Sequence, residues 1–260
     1  MRIKPRCQIL LTTYEDERVK ESLRYFPATL VVVLENKSPL PAHKQIVEEV
    51  RKRIKKVLEE LGYSEDRVEW EGVDFYRFDQ ALVDIYKVLL KKQKQGYETV
   101  VNISGGTKFV AVAAFIAASL TQCPVVYFGA ETYEIDSARM PRGKGVLKQP
   151  FYLDPLFQVV SILLNLSDTE KNILRVIVNK KEVQSITDIV KQLKKNYSKK
   201  DIAEYSYYVK KLREKTFLKI NENGNITITS LGRLVHKLIE AKASIEKDFA
   251  DSKIPENEAS

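Results

Sequence analysis

The stretch from Thr99 to Leu120, TVVNISGGTKFVAVAAFIAASL, decides the fold of this 260-residue chain. It starts with the β-branched run Thr99 to Ile103, turns at two glycines, and continues from Thr107 as an apolar helical pattern. An apolar run that ends in glycine before a helical pattern indicates a buried strand leading into a helix. The same alternation recurs through the first 150 residues, and it predicts a series of βαβ units.

The N-terminal part is predicted to alternate short strands with longer helices. The strands are Cys7–Leu11, Leu30–Leu34, Arg67–Val73, Thr99–Ile103 and Val125–Phe128, and the helices are Glu15–Tyr25, Ala42–Leu61, Phe78–Gln95 and Thr107–Thr121. Strands joined by helices of this length need right-handed crossovers, which give a mostly parallel sheet with helices on both faces. We therefore predict a doubly wound, Rossmann-like α/β domain over residues 1–150, with the strand order 3-2-1-4-5.

The pattern changes after residue 150. Three capping-box pairs predict three short helices, and they are Ser167–Glu170, Ser185–Asp188 and Ser198–Asp201. FLKI at residues 217–220 and ITIT at residues 226–229 predict a β-hairpin, and an amphipathic helix, Leu231–Ala241, follows. This is the layout of a winged helix-turn-helix domain, which we assign to residues 166–243, after a linker at 151–165 and before a flexible tail at 244–260.

The composition excludes several classes of protein. Two cysteines and two histidines without ligand-like spacing do not make a disulfide framework or a zinc site, so we expect neither a metal nor a cofactor. The longest apolar run, Phe109 to Leu120, is too short to cross a bilayer, and the first residues lack a signal-peptide pattern. We expect a cytoplasmic protein without membrane contact.

Positive charge is concentrated in the C-terminal part. The net charge is +8 overall, with +7 in residues 161–240, +3 in residues 1–160 and −2 in residues 241–260. A surplus of lysine and arginine favours polyanions through counterion release, although surface lysines also serve solubility alone. A nucleic-acid partner is therefore one of two interpretations for the second domain.

Candidate site residues lie at the edge of the predicted sheet where strands one and four end. Ligands of doubly wound sheets enter a crevice at this point. The two strand ends carry Thr12, Thr13, Tyr14, Ser104, Gly105, Gly106, Thr107 and Lys108. Glycine amides, a helix N-terminus and an ammonium group together predict a phosphate site, and its spacing matches neither a Walker loop nor a dinucleotide fingerprint. The alternative is a tight strand-to-helix turn with a solvated Lys108, and with Thr12 and Thr13 as a strand end and helix cap.

The helix Thr107–Thr121 is apolar around nearly its whole circumference. Its small residues are Ala111, Ala113, Ala114, Ala117 and Ala118. A helix that flanks one Rossmann domain normally keeps a polar face, so we expect a second protomer to cover this helix. The resulting homodimer would bring two phosphate sites together at a two-fold axis. The alternative is that the chain's own second domain covers the helix.

The string from Val101 to Lys108, VNISGGTK, resembles the signature motif of the CRISPR-associated Rossmann fold (CARF) family. The predicted winged helix is similar to that of its archaeal regulator members. The resemblance implies a homodimer that binds cyclic oligoadenylate, often cyclic tetra-adenylate, across the two-fold axis. It places phosphate and ribose contacts at Gly105, Gly106, Thr107 and Lys108, and Thr12 and Thr13 on the loop after strand one. Similar motifs occur in archaeal winged-helix proteins without a CRISPR link, so that link stays open.

Two further pairs of residues follow predicted strands. Glu131 and Tyr133, beyond strand five, are candidates for the same pocket, where Tyr133 would stack on an adenine. An exposed loop tyrosine is the alternative. Asp74 and Tyr76, after strand three, lie further from the crevice, and we expect them to be structural.

The second helix of a helix-turn-helix pair enters the major groove. The side chains expected to reach DNA are Lys199, Lys200, Tyr205, Ser206, Lys210 and Arg213, with Lys219 and Asn223 near the wing. Ile202, Val209 and Leu212 recur at helical spacing and are expected to face the core. Lysines mostly contact phosphates, so binding is better supported than sequence readout. A winged helix used for dimerisation or protein contact is the alternative.

These inferences lead to one hypothesis with one rival. The first is a homodimeric, cyclic oligoadenylate-sensing, DNA-binding transcriptional regulator of a CRISPR-type defence system, in which the ligand biases the arrangement of the winged helices. The rival is a metal-independent ring nuclease. In that case Thr12 or Thr13 would position a ribose 2′-hydroxyl, and Lys108 would stabilise the developing charge. The products would be linear, with 2′,3′-cyclic phosphate ends.

Overall fold

The computed structural model describes residues 4–12, 16–129, 131–134, 142–144, 151–152 and 166–251. The chain divides into two compact units, the first mainly before residue 160 and the second from Ser161 to Asp248. No helix within these described ranges is long and apolar enough to cross a bilayer.

The first unit alternates strands and helices as the sequence predicts. Its strands are β1 (Arg6–Leu11), β2 (Leu30–Asn36), β3 (Val68–Val73), β4 (Glu98–Asn102), β5 (Val125–Tyr127), β6 (Thr132–Glu134), β7 (Arg142–Lys144) and β8 (Phe151–Tyr152). Its helices are α1 (Asp16–Tyr25), α2 (Lys44–Glu60), α3 (Phe78–Lys94) and α4 (Lys108–Thr121). Short 3₁₀ turns, Pro41–His43 and Glu65–Arg67, precede α2 and β3.

Six strands form one sheet in the order β3-β2-β1-β4-β5-β8. The first five are parallel, with Ile9 of β1 opposite Val32 of β2 and Val101 of β4, and β8 pairs antiparallel to β5. This confirms the predicted Rossmann-like α/β fold and its strand order. Because β8 belongs to the sheet, residues 151–152 of the predicted linker are part of the first unit, and residues 153–165 lie outside the described residues.

Helices cover both faces of this sheet. Leu10, Val31 and Val33 point to the face covered by α1 and α2, where they pack with Val19 and Ile54. Side chains alternate along a strand, so Ile9 and Val32 point to the opposite face, and both are fully buried. Helices α3 and α4 pack against each other and against the strands. Burial on both faces accounts for the continuous apolar run of β2.

Helix α4 is only partly covered within its own unit. Ala113, Ala114 and Ala117 of α4 are fully buried, and α4 packs against α3. Phe109 and Val112 lie on another side and are 68% and 51% exposed. The apolar pattern of α4 predicted a second protomer, or alternatively the second domain, over this helix. For the alanine side this is corrected, since a helix of the same unit covers it.

The second unit contains four helices and three short strands within the described residues. They are α5 (Asp168–Lys180), β9 (Glu182–Val183), α6 (Ile186–Leu193), α7 (Lys199–Glu214), β10 (Leu218–Ile220), β11 (Ile226–Ile228) and α8 (Ser230–Asp251). The strands form an antiparallel sheet in the order β10-β11-β9. The core of the second unit is mostly aliphatic, with Ile173, Leu174, Ile177 and Leu212 fully buried, and it also includes Phe217 and Tyr205.

Capping explains where these helices begin. Full capping boxes start α5 at Ser167 and α7 at Ser198, as the sequence predicts. At α6 the Ser185 hydroxyl accepts the Asp188 amide, but the reciprocal bond is absent, so this start is a simple N-cap. Helix α8 continues to Asp251, so residues 244–251 are helical and not the flexible tail that was predicted.

Candidate functional site

The carboxyl ends of β1 and β4 meet at one edge of the sheet. The Gly106 amide donates to the Thr12 carbonyl at 2.8 Å, and the Thr12 amide donates to the Leu34 carbonyl of β2 at 3.1 Å. The structure therefore brings Thr12 beside the glycine loop, as the strand order predicts. Thr13 and Tyr14, the other two residues predicted for this loop, lie outside the described residues.

The Asn and Ser of the VNISGGTK motif shape the glycine loop. The Asn102 Oδ1 atom accepts the Ser104 amide at 2.8 Å and also the Ser104 hydroxyl. The Ser104 Oγ atom in turn accepts the Phe128 amide, at 2.7 Å, from the residue after β5. Asn102 and Ser104 are both buried. The contact of Ser104 with ligand stays a prediction, and its hydroxyl is already bonded on both sides within the protein.

Arg18 of α1 supports the same loop and was missed by the sequence analysis. Its guanidinium is buried and donates to the Ser104 carbonyl at 3.0 Å, and it lies 6.0 Å from the centre of the Tyr127 ring. A buried positive charge close to the loop favours an anion there. An arginine within the first turns of a helix gives no sequence signal for this role.

Gly106 is needed for the backbone conformation of the loop. Its φ is +75°, and a Cβ atom at this position would lie 3.2 Å from the Cβ of Leu11. Because its amide already donates to Thr12, that amide is not available to a phosphate, and the predicted contact is corrected on this point. The glycine permits the close approach of β1 and the loop.

Since the Gly106 amide is already bonded, the groups that can still bind an anion lie at the N-terminus of α4. The Thr107 hydroxyl accepts the Val110 amide at 3.4 Å, whereas the amides of Lys108 and Phe109 belong to the first turn, which has no acceptor within the helix. Thr107 and Lys108 are exposed, and Lys108 forms no ion pair with a described residue. A helix N-terminus and an adjacent ammonium favour a phosphate group.

A cavity of about 340 Å³ opens beside this loop. The described residues that line it are Thr12, Asn36, His43, Ile46, Val47, Val50, Phe75, Tyr76, Gly106 and Thr107. These residues follow the ends of β1, β2, β3 and β4, or lie at the start of α2. Tyr76 was expected to be structural and is instead part of the cavity wall. The sequence signal for it was present, since carboxyl ends of parallel strands share one edge.

Asp74 has the structural role that was expected for it. Its carboxylate accepts the amides of Tyr76 and Arg77 at 3.0 and 3.1 Å, and the Arg77 Nε atom at 2.8 Å. Burial alone would raise the pKa of Asp74, but these hydrogen bonds outweigh burial and lower the pKa. The charged carboxylate thereby fixes the turn that presents Tyr76 to the cavity.

Glu131 and Tyr133, the two residues predicted beyond β5, are not among the described residues that line this cavity. Glu131 is exposed, and Tyr133 lies in β6, whose partner is β7. The described lining of the cavity includes neither residue. Their predicted contact with the ligand stays a prediction.

The predicted nucleic-acid face of α7 is largely exposed. Lys199, Lys200, Lys210 and Arg213 on α7 and Lys219 on β10 are exposed, and Ser206 is half-buried. Val209 and Leu212 are buried and Ile202 packs against the same core, as predicted. Tyr205 is 8% exposed within the core, so its assignment as a DNA contact is corrected. Tyr207, which is 62% exposed, is the α7 aromatic residue on the outer face and was missed.

Both cysteine thiols of the first unit are buried. Burial raises the pKa of Cys7 to about 12 and that of Cys123 to about 11, so both thiols stay protonated at neutral pH. Within the described part of the chain, no group of three or more His, Cys, Asp or Glu side chains is arranged to hold a metal ion.

The family model that matches this chain covers most of the first unit. Residues 6–134 match a family model described as "HFX_2341_N:-like, N-terminal". No curated protein matches the chain. The matched segment runs from β1 to β6 and contains all the candidate site residues of the first unit.

Three similar solved structures have low identity to this chain. Can2 from Sulfobacillus thermosulfidooxidans, in complex with cyclic tetra-adenylate, is 14% identical, with a TM-score of 0.37 and with 95% of this chain and 66% of that one covered. Protein VC1899 from Vibrio cholerae is 11% identical, with a TM-score of 0.41 and coverage of 95% and 67%. Csm6 from Enterococcus italicus, bound to cyclic hexa-2′-fluoro-hexa-dAMP, is 11% identical, with a TM-score of 0.39 and coverage of 96% and 54%. The chain thus spans about two thirds or less of these proteins.

Proposed function

We propose that the protein is a homodimeric sensor of cyclic oligoadenylate, with cyclic tetra-adenylate as its ligand. The carrying observation is the bond between the Gly106 amide and the Thr12 carbonyl, which holds the end of β1 against the start of α4. This contact gathers the Lys108 ammonium and the first amides of α4 next to a cavity. The VNISGGTK motif at this position is the part of the chain that resembles the CARF family.

The homodimer is supported by the uncovered side of α4. Phe109 directly follows Lys108, and Val112 lies about one helical turn further on. Both are exposed, so a second copy packed on them would bring its own Lys108 close to the first. Two anion sites related by a two-fold axis suit a ring of phosphates. Phe109→Glu is expected to convert a dimer into a monomer in sedimentation equilibrium, while Lys87→Glu on the exposed side of α3 leaves the dimer intact. A wild-type chain that sediments as a monomer would contradict this part of the proposal.

The second unit is proposed to be a winged helix that binds double-stranded DNA as a transcriptional regulator. The exposed cations of α7 and the hairpin of β10 and β11 support this role, because a recognition helix and a wing carry such residues. A gel shift over a series of salt concentrations tests it. Affinity is expected to fall steeply as salt rises, and salt-independent or absent binding would exclude the regulator.

Ligand binding and ligand cleavage are separated by one assay. Purified protein is incubated with radiolabelled cyclic tetra-adenylate in EDTA, and bound and free species are resolved by filter retention and gel electrophoresis. Intact retained ligand is the expected result. Linear products with 2′,3′-cyclic phosphate ends would assign the ring nuclease instead, and absence of association would exclude both functions. Lys87→Ala serves as a control for Lys108→Ala, since both remove one exposed lysine of the first unit.

A further inference from the structure

The outer face of α7 carries a carboxylate in the N-terminal half of the helix. This residue is Glu204, which lies five residues after the first helical residue, Lys199. Lys200 lies four residues before Glu204 and Tyr207 lies three residues after it, so the three side chains are neighbours on the helix surface. All three are exposed. A negative charge therefore lies beside the cations that are proposed to approach DNA.

The Glu204 carboxylate is not used within the protein. No hydrogen bond or ion pair joins it to another residue in the described part of the chain. Lys194, which follows α6, is paired with Asp201, and that hydrogen bond is the main cause of the raised pKa of Lys194. Glu204 contributes to this pKa by its charge alone. Its oxygens are thus available as acceptors for a partner outside the chain.

The position of Glu204 along α7 is one that contacts bases in a recognition helix. Such a helix contacts base edges with the residues near its N-terminus. Ala203, the preceding residue, is exposed and small, so α7 can approach a groove closely at this point. Glu214, the last residue of α7, lies ten residues further on, which is about 15 Å along the helix axis. Glu204 therefore lies at the reading end of the helix and Glu214 lies at the other end.

The charge of Glu204 limits which bases it can contact. A carboxylate in a groove loses hydration and is repelled by the phosphates unless a hydrogen-bond donor compensates it. In the major groove the donors on base edges are the N4 amine of cytosine and the N6 amine of adenine, and the adenine amine lies beside the N7 acceptor. Guanine and thymine present acceptors there, which repel a carboxylate. Cytosine is therefore the base that Glu204 favours.

The cations of α7 do not provide this selectivity. Lys199, Lys200 and Lys210 are exposed, and lysines mostly contact phosphates, which are the same in every sequence. Arg213 belongs to the last turn of α7, away from the reading end. Sequence preference therefore depends on other side chains of the N-terminal half.

We propose that Glu204 is a specificity-determining residue, which accepts a hydrogen bond from the N4 amine of a cytosine in the major groove. The assignment rests on the proposed DNA-binding function of the second unit. It goes beyond that function by naming a base and the side chain that selects it.

Selection from a random duplex library measures the base preference at each position of the bound site. The full-length wild-type protein, with and without cyclic tetra-adenylate, is used to retain duplexes over several rounds, and the retained duplexes are sequenced. We expect a cytosine at a fixed position of the selected site, and its replacement is expected to weaken binding about tenfold in direct titrations. A selected site without such a cytosine would overturn the assignment.

Variants of two glutamates connect this preference to one side chain. Glu204→Ala removes the acceptor, so the four bases at that position are expected to bind within about twofold of one another, with the other positions unchanged. Glu204→Gln introduces a carboxamide, which pairs with N6 and N7 of adenine, so the preferred base is expected to change from cytosine to adenine. Glu214→Gln is the matched control and is expected to select the wild-type site.

Failure of this assignment and failure of the proposed function give different results. If the wild type binds duplex DNA but selects no sequence, or if Glu204→Ala selects the wild-type site, DNA binding stands and the role of Glu204 is wrong. If the wild type binds no duplex under either condition, the DNA-binding function is wrong and the role of Glu204 with it. Circular dichroism melting curves confirm that each variant is folded.

Discussion

The glycine loop of the first unit and the outer face of α7 in the second unit present their functional groups in different ways. The loop is stabilised by hydrogen bonds from Asn102, Ser104 and Arg18, all of which are buried. The cations of α7 project from a regular helix into solvent, and the helix needs only its capping box and its apolar side to form. Most motif residues at the loop therefore maintain its shape, whereas each cation on α7 acts by itself.

This difference determines how each region responds to substitution. Buried hydrogen bonds are interdependent, so the loss of one leaves other polar groups without partners. Exposed charges contribute small and nearly additive terms. Substitutions at the loop are thus expected to change stability and binding together, and substitutions on α7 are expected to change binding alone.

The largest effect is expected for Asn102→Ala. The substitution removes the acceptor for two groups of Ser104 and leaves a buried amide unpaired, which costs about 3 kcal/mol of unfolding free energy in the first unit. Thermal or urea unfolding measures the loss. Lys108→Ala is the control in the same loop, since its side chain is exposed and it is expected to leave stability unchanged. Equal stability of the two variants would show that the buried loop residues stabilise the fold no more than the exposed ones do.

A buried carboxylate in the second unit provides the next largest effect. Glu170 accepts the Ser167 amide at 2.8 Å and pairs with Lys215 at 3.0 Å. Burial would raise its pKa, but the Ser167 and Lys215 hydrogen bonds lower it overall. Glu170→Gln is expected to cost the second unit about 2 kcal/mol at neutral pH. Asp168→Asn, at an exposed position of the same turn, is the control and is expected to cost much less.

The difference in unfolding free energy between wild type and Glu170→Gln is expected to depend on pH. A lowered pKa in the folded state contributes stability above the ordinary pKa of the carboxyl group, and this contribution disappears as the pH falls through the folded value. The stability gap between wild type and Glu170→Gln is therefore expected to close below about pH 4. Urea unfolding at pH 7, 5 and 3 measures the gap, and a constant gap would show that the charge of Glu170 is not what stabilises this unit.

Lys108→Ala is expected to affect ligand binding alone. Loss of one ammonium at the first turn of α4 reduces affinity for cyclic tetra-adenylate about tenfold, or about 1.4 kcal/mol, with no change in melting temperature. Titration calorimetry measures the affinity. An equal loss in Lys87→Ala would show that the effect is one of general charge and not of position.

Single lysines of α7 are expected to give the smallest effects. Each of Lys199→Ala and Lys210→Ala should reduce the slope of log affinity for DNA against log salt by about 0.9, with an equal effect on unrelated sequences. Lys180→Ala, at the end of α5, is the control. A slope unchanged by the double variant would contradict the assignment of this face to nucleic acid.

The periodicity of the chain predicted most of the fold. β-branched runs between helical patterns identified the parallel strands β1, β2, β4 and β5, because a strand buried on both faces is apolar along most of its length. The edge strand β3, VEWEGV, is only partly buried and has no such run. Serine caps identified three helix starts of the second unit to the residue. The extension of α8 to Asp251 was not predicted, although Ala241, Ile245 and Phe249 recur every four residues along it.

The candidate site was predicted less completely. Gly106, Thr107 and Lys108 were predicted because glycines before a helix let a ligand approach the backbone amides at the helix N-terminus. Asn36 and His43 were not predicted to lie beside the loop, because they come from separate segments that only the folded sheet brings together. Tyr76 was identified but was expected to be structural. Tyr205 and Tyr207 both lie on α7, and which one is buried depends on the helix rotation that the core of the second unit sets.

The sequence by itself determined the order of elements, the position of the glycine loop and the basic character of the second unit, because each depends on residues close together along the chain. Only the tertiary structure decided that Asn102 and Ser104 hold the loop and that the Gly106 amide is already bonded. It also decided that α3 covers the alanine side of α4 and that a cavity adjoins the loop. Each of these depends on contacts between segments far apart in sequence, and such contacts exist only once strands and helices have packed.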